Sequence, residues 1–292
     1  MKLIKPSFEI WEQEAPNFKV DMSHVQKKDR LLNSVYKQVE KAGRTCYKSE
    51  DKITDNSAYP FVKRLIDSDH LAMLEHGTVY LYIVIPKKAW TKEVANKYYR
   101  NKYTKCNNSY DEFNYYYYIT TNLRVIIENG WEKDLEYICT PTKYHEKRIT
   151  VHFICNRQVS HEFVRHRVFS FAQESTRYCN YTKGKFGSEL IFIEPLWLKD
   201  MACTSTSAGA FVYEMQCVEK QYFVLINEGW KPQEAATILP NAIKTELVMT
   251  GFEEDWKHFF DLRALGTTGA PHPQAKELAY PLMETFKERN YI

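Results

Sequence analysis

The segment from Arg165 to Tyr178 reads Arg-His-Arg-Val-Phe-Ser-Phe-Ala-Gln-Glu-Ser-Thr-Arg-Tyr, and no other stretch restricts the fold of this chain so tightly. Arginines stand on both sides of an apolar spacer of Val168, Phe169 and Phe171, while the only acids close by are Glu162 and Glu174. A guanidinium keeps its charge at any physiological pH, and its fork of donors matches the paired oxygens of phosphate or carboxylate. A fold that packs the aromatic spacer must therefore bring its arginines against a bound anion or against buried acids. Solvated arginines on a bland surface strand would stand among acids and lack the aromatic spacer.

Elsewhere the charges nearly cancel, with Lys and Arg together 40 against Asp and Glu 37, so the cluster is local. This balance weighs against a surface that coats nucleic acid. The seven cysteines are odd in number and form no CxxC pair, which fits reduced thiols in the cytoplasm and no structural zinc. The opening Met-Lys-Leu-Ile-Lys-Pro lacks the continuous apolar run of a signal peptide or a membrane span, so neither targeting nor a membrane partner is expected.

Periodicity predicts a strand over 3–10, ended by the polar stretch from Glu12 to Pro16, and a helix over 31–39 stopped by Gly43. A second helix follows from Ser57, its cap, with Phe61, Leu65 and Ile66 on one face. The clearest strand is Thr78 to Ile85, closed by Pro86. Residues 87–111 read as an exposed helix and then a loop around Asn107-Asn108-Ser109. A tyrosine-rich strand over 114–120, a capped helix over 121–130, a strand over 148–155 and a helix over 157–164 lead to the arginine segment. A short strand, 190–193, comes after it. Four helices are expected beyond: 209–227, 233–250 kinked at Pro240, 253–264 and 274–289. The expectation is one α+β catalytic domain over 1–292, strands early and helices late, with a mainly antiparallel sheet flanked by helices and 87–145 as a family-variable insertion. His70 and His76 are six residues apart, which is not the one-turn spacing that puts two imidazoles on one ion, so no metal is assigned.

Arg165-His166-Arg167, seven residues, then Ser175-Thr176-Arg177-Tyr178 resembles the signature of the flavin-dependent thymidylate synthases. The likeness extends to His70–His76, to Leu239-Pro240-Asn241 and to the segment ending in Leu262-Arg263, covering most of the chain from Arg44 onward. It implies reductive methylation of dUMP to dTMP. Methylenetetrahydrofolate would supply the carbon and reduced FAD the hydride, with NADPH restoring the flavin and no covalent enzyme nucleophile. It also implies a homotetramer with sites built from several subunits.

Carried over by position, the resemblance places FAD on His70, Arg165, His166, Arg167, Gln173 and His258. It places dUMP on Glu162, Arg165, Gln173, Glu174, Ser175, Thr176, Arg177 and Arg263. Arg263 takes the position of the arginine that polarises the uracil and is the expected catalytic residue. Ser175 is read as a hydrogen-bond donor and not a nucleophile, and Cys179 as a packed thiol. The chain departs from the family at Ala72, Glu162, Ala236, Phe252 and Glu254; Glu162 would suit a phosphate site poorly unless it pairs with Arg165. An alternative is a non-catalytic nucleotide- or RNA-binding homologue, with arginines on phosphates and Phe169, Phe171 and Tyr178 stacked on bases.

Overall fold

A computed structural model of the chain describes residues 1–13, 24–89, 92–177, 181, 188–200 and 206–292. The first expected strand is two, β1 (Lys2–Ile4) and β2 (Ser7–Trp11), divided at Lys5-Pro6. They enter different ladders: β1 pairs in parallel with β8 (Ile191–Ile193), and β2 pairs antiparallel with β6 (Arg148–Asn156). Pro6 has no N–H to donate, which suits the break between one ladder and the next.

Helix α1 (His24–Tyr47) runs through Gly43 instead of stopping there. A Cβ at Gly43 would lie 2.7 Å from Cζ of Phe61, so this glycine lets α2 (Ala58–Asp67) close onto α1. Ser57 starts α2 without capping an amide of it. Its hydroxyl donates to Glu40 Oε2 at 2.8 Å and accepts the Thr54 N–H at 2.8 Å.

Strand β3 (Thr78–Pro86) pairs along its length with β5 (Asn114–Asn122), and β5 is the centre of a three-stranded antiparallel sheet completed by β4 (Lys105–Tyr110). Of the expected helix and loop over 87–111, the helix is present as α3 (Lys92–Tyr99). The loop is wrong: Asn107, Asn108 and Ser109 pair with Tyr118, Tyr117 and Tyr116, because an adjacent strand edge offers more hydrogen bonds than turn propensity resists. Tyrosines on β5 face both ways, Tyr117 into the core and Tyr116 and Tyr118 against Tyr82. Asn122 Oδ1 accepts the Val125 N–H at 3.0 Å and so caps α4 (Leu123–Glu128).

The four-stranded antiparallel sheet runs β2-β6-β9-β7, with β7 at Ser170–Gln173 and β9 at Lys244–Phe252. Strand β9 overturns the helix expected over 233–250; only α7 (Pro232–Ala235) and one 3-10 turn (Ala236–Ile238) precede it. The physical reason is cover on both faces. Leu247 and Met249 belong to one apolar cluster and Val248 to another, so the strand shows a continuous apolar run with no alternation of period two.

Helices α5 (Arg157–Phe163), α6 (Thr206–Asn227), α8 (Glu253–Phe260) and α9 (Pro273–Glu288) agree in place with their expected segments. The longest described helix is nevertheless α1, and β9 comes late, so strands and helices are not segregated along the chain. Antiparallel sheets flanked by helices make the fold α+β as expected. Trp256, Phe259 and Phe260 of α8 are buried against Phe153 of β6 and Phe286 of α9, each contributing about 1.5–3 kcal/mol by leaving water. Among the described residues no helix is long and apolar enough to cross a membrane.

Candidate active site

Two chain reversals build the site. Asn156 at the end of β6 starts α5 by accepting the Val159 N–H on its side chain at 2.8 Å, and α5 then delivers the turn of Arg165-His166-Arg167 into β7. On the other side β9 passes into α8, where Asp255 accepts the Phe252 N–H at 3.0 Å, and α8 widens into a π-helical turn over Asp261–Leu265. Gly266 ends that turn at φ +73°, where a Cβ would sit 2.7 Å from Pro271 Cδ.

Arg263 projects from the π turn onto α5 with a side chain 15% exposed. Its NH1 donates to Glu162 Oε2 at 2.7 Å, its NH2 to the Glu162 carbonyl at 2.8 Å and its Nε to His166 Nε2 at 3.1 Å. A ring nitrogen that accepts from a guanidinium holds no proton of its own, so the neutral His166 carries its proton on Nδ1. Burial, and then the adjacent Arg263 and His258, push the His166 imidazole down to about 4. The ring packs edge-on to Phe259 at 5.0 Å and lies 6.0 Å from His258. Glu162 also faces Arg165 at 3.4 Å, so the acid that looked out of place in the sequence is a partner of both arginines.

Arg165, whose side chain is 68% exposed, stands outward together with Arg167 and Val168. Gln173 donates to Ser160 Oγ at 2.9 Å and Thr245 Oγ1 at 3.2 Å. Glu174, the next residue along, turns into the interior, where Lys244 donates to it at 2.8 Å. Lys244 also reaches Glu246 at 2.5 Å, and Glu246 accepts from Lys48 at 2.8 Å and meets His152 at 2.9 Å. Burial alone would raise the Glu246 carboxyl, but His152, Lys244 and Lys48 outweigh it and hold the group far below the usual carboxylate range. The Ser175 N–H donates to the Cys46 carbonyl at 3.0 Å, tying the motif to the end of α1. Ser175 and Thr176 are half-buried and Arg177 is exposed; Tyr178 and Cys179 lie outside the described residues.

The Lys48, His152, Lys244 and Glu246 network was missed in the sequence. Its one local signal, Lys244 and Glu246 at the i, i+2 spacing of one strand face, is invisible when the segment is read as a helix.

A family model described as thymidylate synthase complementing protein matches residues 143–289, from before β6 to the end of α9. The chain belongs to the flavin-dependent thymidylate synthase family. Curated relatives so named include those of Corynebacterium aurimucosum, 27% identical over 143 residues, 47% of this chain and 56% of the relative. Those of Geobacter sulfurreducens and Pyrococcus furiosus are 31% and 28% identical, over 37% and 59% of this chain and 44% and 69% of theirs. The chain spans about half the length of the first two relatives it matches. A solved UMP/dUMP methylase of Streptomyces cacaoi, bound with 5-Br dUMP, aligns over 99% of this chain and 93% of its own at 15% identity. The TM-score is 0.43, too low a likeness to carry weight.

Other positions expected from the flavin-dependent synthases are dispersed. His258 is exposed beside His166. His70 lies in a separate cavity of about 470 Å³ lined by Tyr47, Ala72, Met73, Arg124 and Glu128. Arg124, which sequence reasoning passed over, pairs there with Glu75 at 2.6 Å and Glu128 at 2.7 Å. His76 faces inward, its Nδ1 2.8 Å from Thr250 Oγ1, which in turn lies 2.8 Å from Thr150 Oγ1. Among the described residues no three His, Cys, Asp or Glu side chains gather as metal ligands. Of the departures from the family, Ala236 sits in the turn before β9, Phe252 opens α8, and Glu254 pairs with Lys105 at 3.1 Å.

Proposed function

We propose that this chain is a flavin-dependent thymidylate synthase that converts dUMP to dTMP, with methylenetetrahydrofolate as carbon donor and NADPH as the final reductant. The observation that carries the reading is the contact of Arg263 with Glu162 and His166, which joins the two separated segments of the family signature. The residues fit an anionic flavin nucleotide. Arg165 and Arg167 are exposed cations beside the exposed apolar Val168, and the neutral His166 adds no repulsion toward them. FAD would be held by these residues with His70, Gln173 and His258. When bound and reduced, it supplies the hydride.

The chain's own residues bind and polarise. Ser175 and Thr176 donate hydroxyls to the nucleotide and Arg177 neutralises its phosphate, while Arg165 and Gln173 line the boundary between nucleotide and flavin. Arg263 places N–H donors at the uracil, where negative charge grows as the ring is attacked. An interaction that strengthens with that charge lowers the barrier instead of only tightening binding. Glu174 acts one step back: its ion pair with Lys244 fixes the backbone that presents Gln173 and Ser175. The neutral His166 orients Arg263 and transfers no proton to Ser175. A single catalytic domain in a homotetramer completes the reading, since Arg263 does not line the cavity that holds His70.

Two observations weaken the RNA-binding alternative. Phe169 is buried, 4.7 Å from the Trp256 ring, and Phe171 packs against the same core, so neither ring is presented to a base. The test is the visible absorption spectrum of the purified protein after FAD is added and excess removed, followed by dUMP-dependent oxidation of the reduced flavin. Retained flavin that dUMP helps to oxidise in the presence of methylenetetrahydrofolate is expected. A folded protein that retains none overturns the proposal.

A further inference from the structure

Arg148, the first residue of β6, is half-buried as a residue, with its guanidinium enclosed. Its NH1 donates to the Glu75 carbonyl at 3.0 Å and to Thr78 Oγ1 at 3.3 Å, and its NH2 to Ser170 Oγ at 3.4 Å. All three acceptors are neutral. The carboxylates whose charge reaches it, Glu75 and Asp255, are engaged elsewhere: Glu75 pairs with Arg124 at 2.6 Å, and Asp255 accepts the Phe252 N–H at 3.0 Å. Burial pushes the guanidinium down to about 10 from an ordinary 12.5, so it remains a cation at neutral pH. Two of its five N–H groups, the Nε–H and one on NH2, have no protein acceptor among the described residues. A charge enclosed in this way destabilises a fold until an opposite charge is brought to it, and water brings none.

Arg148 borders a cavity of about 380 Å³. The walls are apolar and aromatic: Trp11 of β2, Leu31 and Val35 of α1, Tyr80 of β3, and Ile138 and Ile149. Burial raises the Tyr80 phenol, which therefore stays protonated and lends Arg148 no charge. Glu12 is the acid of the described lining, and it is exposed and already paired with Arg289 at 2.9 Å. Lys143 and Lys147 stand exposed at the same cavity. One enclosed cation, two exposed ones and a single paired acid call for an anion. Most of the walls precede residue 143, where the family model begins to match, and no lining residue is among those assigned to FAD or dUMP.

We propose that this cavity binds a small aromatic carboxylate, with its ring against Trp11 and Tyr80 and its two oxygens on Arg148. Paired oxygens match the fork of a guanidinium, and one negative charge balances one positive. A phosphate monoester is a poorer occupant, since it brings nearly two charges to a single enclosed cation. The volume lies at the small end of ligand pockets, which suits a body of one or two rings.

The probe is 2-naphthoate, set against its neutral isostere 2-naphthamide. Binding to the full chain is measured by calorimetry, with and without saturating FAD and dUMP. Wild-type protein is expected to bind 2-naphthoate about 10-fold or more tighter than the amide, whether or not FAD and dUMP are present. Arg148→Met should bind the two alike, with far-UV circular dichroism checking that it is folded. Ser34→Phe fills the cavity from α1, leaves Arg148 in place and should bind neither, which keeps the test decisive where Arg148→Met does not fold. Cys139 also lines the cavity, and bound 2-naphthoate should slow its alkylation by N-ethylmaleimide in peptide maps. A wild type that does not bind 2-naphthoate, or that binds acid and amide equally, overturns the proposal. So does a folded Ser34→Phe that binds as wild type does. Displacement of the probe by FAD or dUMP, or unchanged alkylation of Cys139, puts the probe in another site and overturns it as well. None of these outcomes bears on the dUMP reading.

Discussion

Replacing His76 with glutamine should remove a share of the acid sensitivity of the fold. His76 is fully enclosed, and burial, then the nearby Arg148, push its imidazole down to about 3 from an ordinary 6.5. The unfolded chain takes up a proton below pH 6.5 that the folded chain refuses until about pH 3, so this group's stabilisation is complete at neutral pH and is lost as the pH falls between those values. With these two values, the linkage relation gives a loss of about 2 kcal/mol between pH 7.5 and pH 5 for wild type from this group alone. Glutamine has a similar size, can keep the hydrogen bond to Thr250 and does not titrate. Urea unfolding followed by tryptophan fluorescence at both pH values gives the comparison, and the difference between the two proteins cancels the contribution of His166. Parallel loss of stability in both would mean that His76 takes up no proton on unfolding, and the reasoning from its burial would fail.

Arg263→Ala should retain flavin yet lose turnover by about 100-fold or more, because it removes donors aimed at developing charge; unchanged turnover in single-turnover flavin oxidation would take Arg263 out of the chemistry. Lys244→Met should lower the unfolding free energy by about 3 kcal/mol, since the buried Glu174 loses its 2.8 Å ion pair and, among the described residues, keeps a hydrogen bond from the Tyr181 hydroxyl at 3.4 Å, while Glu246 retains Lys48 and His152. A urea midpoint equal to that of wild type would show the pair to be dispensable.

What could be read in the sequence depended on how much of each segment's fate is written in its own residues. Strand β3 showed itself as a short run rich in β-branched and aromatic residues closed by Pro86, and the arginine segment announced itself by residue type. Strand β9 did not, because its covering clusters erase alternation. Gly43 looked like a stop because its reason, the Phe61 ring, lies on another helix. The arrangement around Arg263 was half legible: Arg263, His166 and Glu162 were each singled out, but their joining spans about a hundred residues of chain and has no local trace. Lys48 and Glu246, 198 residues apart, gave no sign of their pairing.

The lateness of β9 has a consequence for how the protein comes into being. His76 meets Thr250 across 174 residues, and Arg263 meets Glu162 across 101. Contacts of such separation must close long loops before they repay the entropy, which slows folding. On the ribosome, β6 and β7 emerge well before the strand that will lie between them, and Lys48, with Glu50 already beside it, waits longer still for Glu246. During that interval the unpartnered β6 edge is a template for foreign strands, so nascent chains should depend on chaperones most in the stretch of synthesis before Lys244 appears.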